Sequence, residues 1–182
     1  LDRARTAPIA RHTNAFKINE DVVIPLERLG DYADGIERLN IELSLANKLR
    51  LMDALEQFLS GELPLHPEVD REARAGVLGE LPLAALETVR TARGRWQWLA
   101  DHLDAPFADY TARYGAADTG GRAPVTVFEA LRDYVLRVSW KLEVREALMQ
   151  VFDGRAFEPL RAEIEAVDTR VRESRLDVAL HM

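Results

Sequence analysis

The longest regular pattern in the chain is a stripe of apolar residues at helical spacing, and it limits the fold more than any other feature. Apolar side chains recur at steps of three and four from Leu29 to Ala46, as on one face of an α-helix, and Met52, Leu55 and Leu59 prolong the stripe. Gly61 then ends the pattern. The spacing predicts a helix of roughly 34 residues, about 50 Å long at 1.5 Å per residue. The stripe comprises Leu29, Tyr32, Ile36, Leu39, Leu43, Ala46, Met52, Leu55 and Leu59.

The remainder of the chain also has helical spacing, with prolines near the predicted starts and glycines near the predicted ends. The residues Thr-Val-Phe-Glu at 126–129 form a capping box, a signal for a helix start. We therefore predict a mainly α fold, an antiparallel bundle of four to six helices with short connections. The predicted later helices run from Pro67 to near Gly79, from Pro82 to Pro106, on to Tyr114, from Thr126 to Gly154, and from Phe157 past Val171.

Two short segments near the chain ends have a different pattern. The stretch EDVVIP, residues 20–25, is a β-branched run closed by Pro25, which cannot donate to a sheet ladder. The stretch LDVAL, residues 176–180, alternates with period two. We predict a short β-strand at each end of a helical body, with the two strands close together and paired in parallel as one alternative.

Composition and charge narrow the class of protein. The chain is 47% hydrophobic, has no run of eighteen apolar residues, and contains no cysteine. This is typical of a globular chain without a membrane span, and the lack of cysteine fits a reducing, cytoplasmic location. The net charge is −7, although the first 17 residues are basic. An acidic body argues against nucleic acid as a partner.

A search for catalytic and ligand-binding motifs in the helical body finds none. The sequence has no HExxH, P-loop or GxGxxG motif, and none of its four histidines has a glutamate three residues before it. The acidic residues are most simply a solvated face of long helices. Trp96, Trp98 and Trp140 could stack on a ligand, but such residues more often belong to a core or an interface. We expect no catalytic, cofactor-binding or metal-binding residue in the body.

The front of the chain, KINEDVVIPLERL at residues 17–29, resembles a segment of a known enzyme family. In FAD-linked oxidases of the D-lactate, glycolate and D-2-hydroxyglutarate dehydrogenase group, within the vanillyl-alcohol-oxidase superfamily, a K-x-x-E-D-V-x-V-P-x-x-x-L pattern leads into a helix of the C-terminal cap domain. A strand and a GHxGDGNxH motif follow that helix, and DVALHM at residues 177–182 looks like that strand. The matching residues at the front are Lys17, Glu20, Asp21, Val22, Ile24, Pro25 and Leu29.

The resemblance implies a domain plan and a function. Residues 1–25 are expected to be the arm and strand of the parent cap domain, residues 26–175 a helical insertion domain, and residues 176–182 the C-terminal strand of the cap. The chain would then be a non-catalytic fragment of a larger FAD-dependent oxidoreductase acting on a D-2-hydroxy acid such as D-lactate. The FAD belongs to the parent, and the partner is the remainder of that flavoprotein.

One residue of this chain acquires a role from the resemblance. Lys17 is similar in position to a family lysine that binds the substrate carboxylate together with an upstream arginine. Arg3, Arg5 and Arg11 all lie nearby, so the partner arginine stays open. A cation there would fix the acid with its C–H toward the flavin. The alternative for Lys17 is a solvated lysine at a strand edge.

A second hypothesis assigns the helical body to another class of protein. It contains more long amphipathic helix than one small core requires, and RWQW at residues 95–98 has the composition of an exposed aromatic pair. The body would then be a protein–protein interaction or dimerisation module without catalytic role, acting as a homo-oligomer or by docking another chain.

Overall fold

The computed structural model describes residues 25–180, with side chains described for residues 25–173. The described part is mainly α, as predicted, and none of its helices is long and apolar enough to span a membrane. It contains no named strand, and the only extended pairing described is an isolated antiparallel bridge between Pro106 and Thr126. The helices are α1 (Leu29–Leu59), α2 (Arg74–Leu78), α3 (Leu81–Asp101), α4 (Phe107–Tyr114), α5 (Val127–Arg132), α6 (Glu146–Val151) and α7 (Glu158–Leu180).

The chain divides into two compact units, residues 1–35 and residues 36–182. In the first unit, the described residues 25–35 contain an extended Pro25, a 3₁₀ turn at Leu26–Arg28 and the beginning of α1. All of them are exposed. The second unit contains the rest of α1, the other six helices and the hydrophobic core.

The core of the second unit is a single cluster of apolar side chains from α1, α3, α4, α5, α6 and α7, with contributions from the connecting segments. Burial of such side chains is the main favourable term for folding, at about 1.5–3 kcal/mol for a fully buried large side chain. Leu160, Ile164 and Val167 of the last helix belong to this core, as their spacing of four and three residues predicted. The fully buried large residues are Trp96, Phe152, Met52, Leu55, Leu99, Leu148, Leu160, Ile164, Val89, Val127 and Val144.

The predicted starts of α3 and α5 are confirmed, whereas α2 begins seven residues after the predicted start at Pro67. Pro82 lies in the first turn of α3, where its missing N–H is not needed. Pro106 is extended and precedes α4 directly. At the start of α5, the hydroxyl of Thr126 accepts a hydrogen bond from the backbone N–H of Glu129 at 3.2 Å. The Glu129 carboxylate reaches back to the N–H of Val125 at 2.8 Å, one residue before the cap.

The prediction of one continuous helix from Thr126 to Gly154 is wrong. The helix is interrupted between Arg132 and residue 140, continues as a π-helical turn at Lys141–Arg145, and only then becomes α6. At the interruption, Tyr134 has a φ of 59°, in the left-handed region. Apolar spacing alone predicted a continuous helix, because it contains no information about the polar contacts of this segment with Arg95 and Glu143.

The predictions for the chain ends have different outcomes. Where a C-terminal strand was predicted over residues 176–182, α7 continues to Leu180, and residues 181–182 lie outside the described part. The five residues LDVAL fit the period-two spacing of a strand, but the leucines at 176 and 180 also fit the spacing of a helix. Here these residues continue the preceding helix. The predicted strand at residues 20–25 lies outside the described residues except for Pro25, so the pairing of the two ends stays a prediction.

Candidate interaction surfaces

Helix α1 carries apolar residues on two opposite faces within the second unit. Residues nine apart on an α-helix lie about half a turn apart. Leu45 and Met52 are buried in the core, whereas Ile36 and Leu43, nine residues before them, are exposed. Leu39 lies on the exposed face as well. The stripe that the sequence predicted is therefore buried only in its second half.

We call the exposed face of α1 the exposed seam, defined as Ile36, Leu39, Leu43 and Ala46. The exposed fractions of Leu39 and Leu43 are 55% and 61%, and Ala46 is also exposed. The spacing of three, four and three is that of the a and d positions of a coiled coil. Isolated exposed leucines are ordinary, but a row of them on one helix face marks a contact surface.

Arg38 links the exposed part of α1 to the rest of the second unit. The guanidinium of Arg38 donates to both carboxylate oxygens of Asp104, at 2.6 and 2.8 Å, and to Glu42 at 2.9 Å. These hydrogen bonds to Asp104 and then Glu42 hold the pKa of Arg38 above its ordinary value. The Arg38 guanidinium also lies 5.9 Å from the ring centre of Phe128. The seam is thus presented by an anchored helix.

A second candidate surface is a groove between α1 and the irregular segment that follows α5. We call it the α1 groove, and its volume is about 460 Å³. Tyr134 and Leu142 line it and are largely exposed, by 75% and 61%. Its other apolar lining residues are Ile41, Leu45, Leu131, Leu136 and Val138.

The lining of the α1 groove also carries charge. The lining contains three cationic residues and one acidic residue, Glu37. Lys48 donates to the hydroxyl of Ser44 at 2.5 Å, and Arg132 pairs with Asp133 at 2.8 Å. The third cation is Arg137. Basic side chains therefore outnumber acidic ones in the lining, although the net charge of the chain is −7.

Arg95 of α3 makes hydrogen bonds to the irregular wall of the groove and to Glu143 beside it. The guanidinium of Arg95 donates to the carboxylate of Glu143 at 2.6 Å, to the carbonyl of Arg137 at 2.8 Å and to the hydroxyl of Tyr110 at 2.9 Å. The indole N–H of Trp96 donates to the same Glu143 oxygen at 3.1 Å. Burial is the largest single influence on Arg95 and disfavours its charge, but the hydrogen bonds and charge interactions with Glu143 and Tyr110 together outweigh it, so the pKa of Arg95 is raised.

The second oxygen of Glu143 fixes the backbone of the wall. It accepts a hydrogen bond from the N–H of Ser139 at 2.8 Å, and the Ser139 hydroxyl accepts one from the N–H of Leu142 at 3.3 Å. At the other end of the segment, the N–H of Leu136 donates to the carbonyl of Ala130 at 2.8 Å. The interruption of the helix is thus a defined conformation with partners for its backbone groups.

The residues singled out from the sequence fall into three groups. Lys17 and its candidate arginines at positions 3, 5 and 11 lie outside the described residues, so their roles stay predictions. Trp96 is fully buried, which corrects the interpretation of RWQW as an exposed pair. Trp140 is nearly fully buried as well. Trp98 is half-buried and stacks on His102 with ring centres 4.5 Å apart.

Metal-ligating side chains are not clustered in the part of the chain that the structure describes. No group of three or more His, Asp or Glu residues is placed there to hold an ion. The Nδ1 of His102 contacts the carbonyl of Trp98 at 2.8 Å, and the Nδ1 of His66 accepts from the N–H of Glu68 at 3.3 Å. These contacts give both histidines structural roles.

The Arg95–Glu143 pair and the left-handed Tyr134 were not predicted from the sequence. The two charged residues are 48 positions apart, and neither belongs to a motif. A weak signal was present, since Arg95 stands in α3 directly beside the inward-facing Trp96. Comparison with known proteins adds no assignment: no family model, no curated protein and no solved structure matches this chain.

Proposed function

We propose that the helical body is a self-associating interaction module, in which two copies of the chain pair through the exposed seam of α1. The observation that carries this proposal is the row formed by Ile36, Leu39 and Leu43, which lies on the face of α1 opposite the core residues Leu45 and Met52. An apolar stripe of a/d spacing is stabilised when a second helix with the same spacing packs against it.

The chemistry of the seam suits a second copy of the chain. Asn40 and Asn47 on one flank are neutral. Glu42 on the other flank shares Arg38 with Asp104, so this flank keeps one net negative charge in each copy. A two-fold symmetric contact needs a surface that is complementary to itself, and the apolar row meets that requirement.

The size of the seam predicts the strength of the association. A standard stable interface buries roughly 800 Å² on each partner. Three partly exposed large side chains supply only part of that area, so we expect a reversible dimer whose population rises with protein concentration rather than a permanent one.

Sedimentation velocity over a range of concentrations tests the dimer. The wild-type chain should shift from monomer to dimer, and Leu43→Glu should remain monomeric, because it places a charge in the middle of the seam. Leu83→Glu is the matched control, since Leu83 on α3 is 62% exposed and Leu43 is 61% exposed. A wild-type chain that stays monomeric at the highest concentration, or a Leu43→Glu variant that still dimerises, would exclude this function.

A second candidate function places the chain in a larger FAD-dependent oxidoreductase that acts on a D-2-hydroxy acid. Its support is the motif that begins at Lys17 and, among the described residues, the local structure at Pro25. Pro25 is extended, with φ −53° and ψ 138°, and a 3₁₀ turn and then α1 follow at once. The family pattern requires such a proline before a helix. In this proposal Lys17 binds the substrate carboxylate, and the FAD is held by the parent.

The coding sequence beyond Met182 tests the second candidate directly. The flavoprotein proposal expects the reading frame to continue into a GHxGDGNxH-like motif, with an FAD-binding domain elsewhere in the same protein. A frame that continues without such a motif would remove the proposal. The dimer proposal does not depend on this result, because the seam belongs to the helical body in either case.

A further inference from the structure

We propose that Asp104 regulates the self-association of the chain, because it holds Arg38, and with it the exposed seam of α1, in the form that pairs with a second copy. This inference rests on the proposed dimer and assigns a positioning role to a residue outside the seam. Asp104 lies in the segment between α3 and α4. We call Arg38, Asp104 and Phe128 the α1 clamp.

The part of α1 that carries the seam has little support from the core. Within the second unit, the first buried residue of α1 is Leu45. Among residues 36–44, only Arg38, Ile41 and Ser44 are half-buried, and the others are exposed. Isolated helices shorter than about 12–15 residues are marginal in water, so a segment of this length needs outside contacts to stay helical.

The beginning of α1, which belongs to the first unit, has little helical stability of its own. Residues 29–35 are all exposed. Gly30 and Gly35 are among them, and a Cβ added at either position would meet no atom within 4 Å outside the backbone of its own helix. No close packing therefore requires a glycine there, and glycine is the weakest helix former after proline.

The α1 clamp joins the seam segment to the rest of the second unit. The Arg38 guanidinium donates to both carboxylate oxygens of Asp104, at 2.6 and 2.8 Å. This two-pronged geometry is the strong form of an arginine–carboxylate contact. The same guanidinium lies over the ring of Phe128, 5.9 Å from its centre. The clamp thus fixes the exposed part of α1 at a single defined position.

The two partners of the guanidinium are themselves tied to the core. The N–H of Phe128 donates to the carbonyl of Leu103 at 2.8 Å, and the N–H of Val127 donates to that of Ala105 at 3.0 Å. These bonds lie on either side of Asp104 in the chain. Leu103 and Val127 are core residues. The clamp therefore attaches α1 to two segments that are already held together.

A shift in population connects the clamp to the dimer. Only chains whose seam is helical pair with each other, and both copies must meet this condition. The apparent dissociation constant therefore rises with the inverse square of the fraction of such chains. Loss of the contacts between Arg38 and Asp104 lowers that fraction and weakens the dimer.

The charge of Asp104 alone predicts the opposite change. Arg38 is shared by Glu42 and Asp104, which leaves one net negative charge in each copy beside the seam. Removal of the Asp104 carboxylate reduces the repulsion between two copies and would tighten the dimer. The sign of the change therefore separates a clamp from a simple effect of charge.

Sedimentation velocity and amide hydrogen exchange of the 1–182 chain test the clamp together. Asp104→Ala should raise the apparent dissociation constant of the dimer about two- to fivefold, as expected for a well-formed surface ion pair. Asp104→Glu keeps a carboxylate and should lie closer to wild type. In dilute, monomeric Asp104→Ala, the N–H groups of residues 39–44 should exchange faster, whereas those of residues 51–59, in the buried half of α1, should not change.

The matched control is Asp109→Ala, which removes an exposed carboxylate from the first turn of α4. It should behave as wild type in both measurements. An unchanged or tighter dimer in Asp104→Ala, or unchanged exchange at residues 39–44, would overturn the clamp and leave the dimer standing. Faster exchange at residues 51–59 as well would indicate a general loss of stability and also overturn it. A wild-type chain that never dimerises would overturn the proposed function together with this inference, and no variant is needed to recognise that result.

Discussion

The two walls of the α1 groove are held in place by different forces. Helix α1 is fixed by apolar burial, with Met52, Leu55 and Leu59 packed into the core. The opposite wall, from Tyr134 to Leu142, buries Leu136 and Trp140 and is also held by polar contacts with Arg95 and Glu143. Apolar burial leaves a periodic signature in the sequence, whereas a polar contact between distant residues leaves none. Only the wall formed by α1 was therefore predictable from the sequence.

The largest expected effect concerns the core face of α1. Leu55 is completely buried, so Leu55→Ala should lower the free energy of unfolding by about 2–5 kcal/mol, through lost burial and a residual cavity. Leu43→Ala, the same change on the exposed face, should lie within about 0.5 kcal/mol of wild type. Urea unfolding at a low protein concentration, where the chain is monomeric, measures both. Similar losses for the two variants would mean that the faces of α1 do not differ as described.

A smaller effect is expected at the polar wall. The two oxygens of Glu143 accept from three donors, on Arg95, Trp96 and Ser139. Glu143→Gln keeps the size but leaves one acceptor oxygen, so at least one donor loses its partner. We expect a loss of about 1–3 kcal/mol in the free energy of unfolding, and faster hydrogen exchange at the N–H of Ser139.

The control for the polar wall is Glu146→Gln, which removes one carboxylate from the adjacent exposed position at the start of α6. It should leave both the stability and the exchange rate of Ser139 close to wild type. An equal effect of the two variants would indicate a general response to lost negative charge. In that case the Arg95–Glu143 contact would not be what fixes the wall.

The same comparison explains how far the sequence could predict the fold. The spacing of apolar residues correctly predicted α1 and the last helix up to Val171, and proline and capping signals placed the starts of α3 and α5. These are local or periodic signals. The break after Arg132 depends on a partner in α3, so no window of sequence around it contains the cause.

The candidate surfaces were predictable to different degrees. The exposed seam was visible as a stripe, but spacing does not tell which half of a long helix faces the core. Leu43 and Met52 both belong to the predicted stripe, yet one is exposed and the other buried, because the step of six residues from Ala46 to Met52 carries the stripe to another face of the helix. The groove could not be predicted, since it depends on the left-handed residue Tyr134 and on the Arg95 contacts.

The smallest expected effect concerns the backbone at Tyr134. Its φ of 59° lies in the left-handed region, where a side chain brings Cβ close to the following carbonyl at a cost of about 1–2 kcal/mol. Glycine avoids that cost but loses more conformational entropy on folding, about 0.5–1 kcal/mol relative to alanine. Because the ring of Tyr134 is 75% exposed, its removal sacrifices little burial. Tyr134→Gly should therefore match or exceed the stability of wild type by up to about 1 kcal/mol.

Tyr134→Ala is the informative partner of this variant, because it removes the same ring and keeps Cβ. If the left-handed backbone is imposed by the contacts of the polar wall, the glycine variant should be more stable than the alanine variant by a few tenths of a kcal/mol to about 1 kcal/mol. Combined with Glu143→Gln, which releases the wall, the difference between glycine and alanine should shrink or change sign, because alanine is then free to adopt a right-handed conformation. Thermal and urea unfolding of the four variants measures this coupling as a double-mutant cycle. An alanine variant that is already the more stable one with Glu143 intact would show that the wall does not enforce the left-handed turn.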